Sequence, residues 1–447
     1  MRRLHPTDPV TDKAGSRAWT VGAGALVLAV AGFGIHLACR LTERAYRWHQ
    51  RDATVYFDAT RHLFDGGPGL YGTPYGASRL PFTYPPFSAL VFRVLGSVGW
   101  QSFRVLLPAL TLFALGAALH RMARTLPPSA TWPPARRLAL VLAVTAVCLW
   151  LTPVYLTFQA GQINLFLLAL VVWDFSLPTG SRWKGVGVGL AAGLKVTPAI
   201  FIVYLLLTRR GRAAATAVAT TAATVAVGAL FLPGASLHYW TALGDLSSEA
   251  TGRGRINLAA THNQSLNGLI LRTLGDAPFP HALWVLAVCL TAVAGLACAA
   301  AVSRRGHDLW GMVLCATTAV LVSPLSWAHH WVWVAPALLL LVARGAAAPR
   351  RATAGGLYAA AAALWCWYAA WPVPLPEDPP KLSPAGIIAL PTGPLPGSLA
   401  HVWAFTHENA YVVTGLLAIT VTGVRVLARA VQERGRLVSP EDSYAPH

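Results

Sequence analysis

The feature that most constrains this chain is the recurrence of long apolar runs from Trp19 almost to the C-terminus. A helix needs about 20 apolar residues to cross a bilayer, and run after run here is near that length. Beyond Trp19 to Cys39, the runs fall at about 102 to 120, 138 to 152, 162 to 177, 213 to 232, 281 to 302, 309 to 323, 331 to 343, 352 to 371 and 410 to 428. One aqueous core cannot bury them all. With 55% hydrophobic and only 12% charged residues, the chain predicts an all-α polytopic membrane protein rather than two or three soluble domains.

The first run follows Arg2, Arg3, Lys13 and Arg17 and is long for a signal peptide, so it reads as an uncleaved anchor with a cytoplasmic N-terminus. Short cytoplasmic loops should hold the excess of Lys and Arg. This parity assigns inside the groups Arg121, Arg124, Arg136 and Arg137; Arg182 and Lys184; Arg209, Arg210 and Arg212; Arg304 and Arg305; Arg344, Arg350 and Arg351; and Arg425, Arg429, Arg434 and Arg436. Gly185 to Leu207 resists, because it is basic at both ends. The Lys195-Val196-Thr197-Pro198 centre answers this, since proline interrupts a helix. Two half-helices, in and back out, restore parity and give ten full spans plus a broken pair. A single tilted span is the other reading.

The segments Leu41 to Gln101, Thr152 to Gly161, Pro233 to His281, Ser323 to His330 and Pro372 to Asn409 then face outside. The predicted organisation is a cytoplasmic tail over 1–17, a membrane domain over 18–430 and a cytoplasmic tail over 431–447. The net charge of +18, from 35 basic and 17 acidic residues, mostly falls on the inside segments. It records insertion direction and attraction to anionic lipid, not a nucleic-acid partner. Cys39, Cys148, Cys289, Cys298, Cys315 and Cys366 all sit in apolar runs and read as small buried hydrophobes.

The polar clusters gather on the outer side. Asp52 and Asp58 follow the first run; six residues apart on a helix, they cannot both face one site. Asp58 has Arg61 and His62 at ion-pair spacing, which leaves Asp52 as the candidate general base. Pro81-Phe82-Thr83-Tyr84-Pro85-Pro86-Phe87 reads either as an aromatic anchor at the interface or as the rim of a lipid or sugar site, with Tyr84 on it. Lys195 is costly inside an apolar helix, so it reads either as snorkelling to an interface or as a cation for a polar cavity or a lipid phosphate. Gly185, Gly187, Gly189 and Gly193 beside it allow close packing and are no nucleotide fingerprint, because no strand precedes them.

Gln162 and Asn164, in Gln159-Ala160-Gly161-Gln162-Ile163-Asn164, suit sugar hydroxyls or phosphate, or equally a helix cap. His262-Asn263-Gln264-Ser265-Leu266-Asn267 with Arg272 forms a second patch, and Ser323 to Trp333 with His329 and His330 a third. Adjacent histidines on a helix point about 100° apart and have no carboxylate nearby in sequence, so no metal site is expected.

Taken in order, Asp52-x-x-Val55-Tyr56, Leu70-Tyr71, Pro81 to Phe87, Gly161-Gln162-Ile163-Asn164, Gly193-Leu194-Lys195-Val196-Thr197-Pro198, Asn263-Gln264-Ser265-Leu266 and Ser323-Pro324-Leu325-Ser326-Trp327-x-His329-His330-Trp331 resemble glycosyltransferase family 87. That is the actinobacterial group of polyprenol-phosphate-mannose-dependent alpha-(1,2)-mannosyltransferases. Over about residues 19 to 430, the resemblance implies a GT-C-type bundle of about 10 to 12 transmembrane helices with extracytoplasmic loops. It further implies a lipid-phosphate mannose donor used at the outer face of the plasma membrane, without a separate cofactor. An essential Asp after the first helix matches Asp52; His329 or His330 matches the His-His-Trp element.

The two lines agree, because nucleotide sugars stay in the cytoplasm and an outward-facing transferase needs a lipid-borne donor. The expected chemistry is inverting transfer to a cell-envelope glycolipid or glycan. Asp52 would act as base, aided by His329 or His330. Lys195, Arg272, Gln162, Asn164, Asn263, Gln264 and Tyr84 would bind phosphate or substrate. The contrasting class is a transporter or flippase for a lipid-linked or anionic solute, with Lys195 at a midplane site; clusters confined to one face argue against it. The Pro- and Gly-rich segment Pro372 to Asn409 is the expected place for acceptor specificity.

Overall fold

The computed structural model describes residues 50–61, 63–64, 69–71, 73–76, 79–126, 129–241, 257–275, 280–375, 381–384, 386–390 and 397–438. The expected first span, the N-terminal tail, His62 and the chain beyond residue 438 lie outside these.

The described chain is helical, and each apolar run within it becomes a helix. Before them come two short helices, α1 (Arg51–Arg61) and α2 (Pro86–Gly96), inside the segment expected to be a loop. α2 starts at tandem prolines, where the missing N–H is not needed. Between them, Pro74–Tyr75 (β1) and Leu80–Pro81 (β2) pair antiparallel, with Pro74 opposite Pro81. α3 (Trp100–Ala123) and α4 (Pro134–Leu149) follow. Thr152 to Gly161, expected as a short link, is instead the helix α5 (Thr152–Ala160), closed by Gly161 in the left-handed conformation at φ 71°. α6 (Asn164–Phe175) comes next.

The interruption expected at Lys195 is present. α7 (Val186–Leu194) ends at Lys195, whose backbone is extended (φ −153°, ψ 133°), and a 3₁₀ turn, Thr197–Ala199, leads into α8 (Ile200–Leu207). Ser88 Oγ donates to the freed Leu194 carbonyl at 2.6 Å. α7 packs between α6 and α9 (Gly211–Phe231), where a Cβ on Gly189 or Gly193 would collide with Thr220 or Thr224.

α10 (Pro233–Thr241) and α11 (Leu266–Leu274) occupy the next expected outer segment. α12 (Pro280–Arg304) packs along α13 (Asp308–Val322), and α14 (Val334–Ala347) along α15 (Arg351–Tyr368). The strands β3 (Pro372–Leu375) and β4 (Lys381–Pro384) pair antiparallel before α16 (Gly397–Glu408) and α17 (Ala410–Val438). α17 carries the expected 410 to 428 span on into the segment assigned to the C-terminal tail.

Five described helices are long and apolar enough to cross a membrane: Trp100–Ala123, Gly211–Phe231, His281–Arg304, Ala328–Ala347 and Ala410–Glu433. Their faces carry large exposed apolar residues such as Phe113, Leu230, Val293 and Leu427, which suits a lipid surround. The chain is a helical membrane protein.

Candidate active site

The site is assembled at the end of the bundle where α6 begins and α7 ends. α1 brings Asp52 there. Gln50, just before α1, donates its N–H to Gln159 O at 2.6 Å and its amide to Arg104 O at 2.8 Å. Ala53 lies directly on Gly161, where an added Cβ would stand 2.6 Å from the Ala53 methyl. Gly161 therefore serves twice, for its positive φ and for the close approach of α1.

This contact delivers Asp52 to the residue after Gly161. Gln162 Nε2 donates to Asp52 Oδ2 at 2.8 Å, and Arg51 Nε stands 3.8 Å from the same oxygen. Tyr84 OH donates to Gln162 Oε1 at 2.8 Å, and Tyr56 OH lies 2.8 Å from Tyr84 OH. Tyr56 is one turn along α1 from Asp52. Burial raises the Asp52 pKa, while Arg51, Gln162 and Lys195 oppose the rise. Tyr84 is buried in this network, which replaces its expected place on an interfacial rim.

Lys195 faces the same tyrosine from the other side, its Nζ 5.5 Å from the ring centroid. It donates to Asn164 Oδ1 at 3.2 Å and lies 3.1 Å from His330 Nε2. Asn164 Nδ2 in turn donates to the His329 carbonyl at 2.9 Å. Lys195, Asn164 and His330 head a narrow, half-open cleft whose further walls include Leu167, Phe201, Val320, Val332 and Trp333. It is a polar end on an apolar slot. The His329 ring meets His330 edge to face at 4.9 Å, and its Nε2 is buried with no hydrogen-bond partner among the described residues.

Asn263, Gln264 and Arg272 act one layer back, which differs from their expected contact with substrate. Asn263 and Gln264 are wholly buried. Asn263 Oδ1 accepts from Ser326 N and Ser265 Oγ, both at 2.9 Å. Gln264 donates to the Thr261 and Glu408 carbonyls and accepts from Tyr411 N, while Trp331 Nε1 donates to its carbonyl. Together with Ala328 N to His262 O, these bonds clamp the 3₁₀ turn Ala328–Trp331 that carries both histidines. Arg272 holds Asn409 Oδ1 and the Ala260 and Asn263 carbonyls. The physical reason is accounting: a buried amide or guanidinium stays buried only with its partners satisfied, and backbone groups supply them here.

Sequence reasoning missed Tyr56, Arg51 and the Ala53–Gly161 contact. The i, i+4 spacing of Asp52 and Tyr56 was the available sign for the first. Among the described residues no three His, Cys, Asp or Glu side chains gather as a metal would need.

A helical membrane protein with a partly buried carboxylate beside a lysine-headed apolar cleft is the class that the geometry defines. The description of Glycosyltransferase family 87 matches residues 82–324, a stretch that contains Tyr84, Gln162, Lys195 and Asn263, with Asp52, His329 and His330 beyond its ends. The chain belongs to glycosyltransferase family 87 and is a glycosyltransferase. It is 36% identical, over 66% of its length and 68% of the relative's, to the polyprenol-phosphate-mannose-dependent alpha-(1-2)-phosphatidylinositol mannoside mannosyltransferase of Mycobacterium tuberculosis. It is 34% identical, over 65% of its length and 69% of the relative's, to the polyprenol-phosphate-mannose-dependent alpha-(1-2)-phosphatidylinositol pentamannoside mannosyltransferase of Mycolicibacterium smegmatis. Among solved structures, ArnT from Cupriavidus metallidurans bound to undecaprenyl phosphate aligns over 95% of this chain and 81% of that one, at a TM-score of 0.40 and 14% identity.

Proposed function

We propose that this glycosyltransferase moves a mannosyl group from a polyprenyl-phosphate donor to a hydroxyl of a cell-envelope glycolipid or glycan. The transfer inverts the anomeric centre, forms an alpha-(1,2) linkage and takes place at the outer face of the plasma membrane. Both termini are cytoplasmic in this reading, and a GT-C-type bundle of ten to twelve spans surrounds the site. The observation that carries it is the cleft with Lys195, Asn164 and His330 at its head and apolar walls behind them, which suits a phosphate on a hydrocarbon chain. The relatives' dependence on polyprenol-phosphate mannose supports the same donor.

Asp52 takes the acceptor's hydroxyl proton as that oxygen bonds to the anomeric carbon. The bond from that carbon to the phosphate oxygen breaks with its electron pair, and polyprenyl phosphate departs with an added negative charge. Lys195, fixed by Asn164 and His330, is placed to stabilise that charge. His329 packs edge to face on His330 and so helps to hold it beside Lys195.

The test is purified protein incubated with several polyprenyl-phosphate sugars and native membrane glycolipids, with products read by mass spectrometry. A mannosylated glycolipid from the mannose donor alone is expected. D52N should lower transfer by about 10² to 10⁴ while remaining folded; near wild-type transfer by D52N refutes the base assignment.

A further inference from the structure

The hydrogen bonds around Asp52 have a single direction. Gln162 Nε2 reaches Asp52 Oδ2, so its Oε1 is the end turned to Tyr84. The opposite amide orientation would set Oε1 against a carboxylate oxygen, which repels unless Asp52 holds a proton. An amide oxygen cannot donate, so Tyr84 donates its one hydroxyl proton to Gln162. The Tyr56 hydroxyl must then donate to Tyr84. The chain runs Tyr56 to Tyr84 to Gln162 to Asp52, every donor pointing toward the carboxylate and its final acceptor oxygen being Oδ2.

Both tyrosines remain protonated for this task. Burial raises the Tyr56 and Tyr84 hydroxyls above the ordinary phenol range, with the charge of Asp52 adding to each rise. The packing supports the chain as well. Tyr56 stacks on Phe92 at 4.2 Å and meets the Tyr84 ring edge to face at 5.2 Å. The same Tyr84 ring carries Lys195 on its face. Tyr84 thus touches both halves of the site, the carboxylate through its hydroxyl and Gln162, the cation through its ring.

We propose that Gln162 is the positioning residue for Asp52: anchored by Tyr84, it occupies Oδ2, keeps the carboxylate ionised inside a sheltered site, and leaves Oδ1 as the oxygen that meets the acceptor hydroxyl. The inference rests on Asp52 as base and departs from the expectation that Gln162 binds sugar. The charged and titratable groups facing Asp52 are Arg51 and Tyr56 on α1, Tyr84 before α2 and Lys195 at the end of α7. Of these, Tyr84 bonds Gln162 directly and Tyr56 reaches it through Tyr84.

The experiment is a pH profile of transfer for wild type, Q162A, Y84F and D52N in the full chain, with polyprenyl-phosphate mannose as donor and phosphatidylinositol mannoside as acceptor. Loss of a hydrogen bond to an ionised group should move the acidic limb of Q162A up by about one pH unit, with donor KM within about twofold of wild type. Y84F keeps the ring under Lys195 and loosens only the amide's anchor; it should move the limb the same way by less. Y84F also serves where Q162A does not fold. An unmoved limb in both variants, or a donor KM raised tenfold in Q162A at an unchanged limb, overturns the inference and returns Gln162 to substrate binding. D52N that retains transfer overturns instead the reading on which the inference rests.

Discussion

Lys184 and Lys195 stand just beyond opposite ends of the same short helix, α7, and Lys195 heads a cleft while Lys184 is bonded to backbone carbonyls. Lys184 is 4% exposed, and its ammonium donates to the Asp174 and Leu177 carbonyls at 3.1 and 2.9 Å. Asp174, also buried, turns its carboxylate to the N–H groups of Gly185 and Val188 and so caps the start of α7. Lys195 bonds side chains instead and lines the cleft. The pair teaches what separates a buried lysine bonded to the backbone from one that lines a cleft. Backbone carbonyls are fixed and belong to the fold, so a cation on them has no further work; a cation held by the side chains of Asn164 and His330 at the head of a cleft is placed to meet an anion.

Replacing each lysine by methionine is the sharpest way to break that contrast. K195M should lose about 10² to 10³ in kcat, the scale of a removed electrostatic stabiliser, with little change in melting temperature. K184M should retain transfer but lose about 1 to 3 kcal/mol of stability, read as a lower Tm, because the ammonium's bonds to the Asp174 and Leu177 carbonyls are lost. Equal effects of the two substitutions on transfer would erase the distinction.

Next in size is Gly161. A methyl there meets Ala53 at 2.6 Å and the backbone requires φ 71°, so G161A should push α1 and Asp52 away. Transfer should fall by about tenfold or more, given the sensitivity of catalysis to small misplacements. Product analysis at saturating donor checks this, and unchanged kcat would show that α1 tolerates displacement.

The smallest effect concerns acid. Burial raises the Asp52 pKa, so transfer should be present above that raised value and fall away as pH drops through it. The limb should lie above the ordinary carboxylate value of about 3.9. The same sign means ionised Asp52 costs the fold stability at neutral pH, so D52N should melt no lower than wild type. A limb at or below the ordinary value in a kcat/KM profile would show that Arg51 and Lys195 outweigh burial.

Much of the fold was legible because lipid imposes simple rules: an apolar run in the described region is a helix here, and proline after Lys195 breaks one where charge parity demanded it. The burial of Lys184 was not legible for the same reason. A lysine beside Arg182 in a short basic loop satisfies the parity rule whether or not it is solvated, and only packing reveals that it is buried. The site was legible as residues and not as partnerships. Asp52 and Gln162 are 110 positions apart, and nothing local says that they touch. Nor does the string show that Asn263 and Gln264 serve the turn carrying the histidines; polarity marked them, but burial decided their use.

The length of α7 has a consequence for distance. Its nine residues rise about 14 Å, a little under half the roughly 30 Å hydrocarbon thickness of a bilayer. With Asp174 anchoring one end and α9 pressed against its glycines, the helix cannot slide, so it works as a ruler that sets the depth of the Lys195 ammonium. One residue added to it would shift that charge by about 1.5 Å and swing it by about 100°. The enzyme, in the proposed placement, measures how far from the membrane surface a donor phosphate must stand.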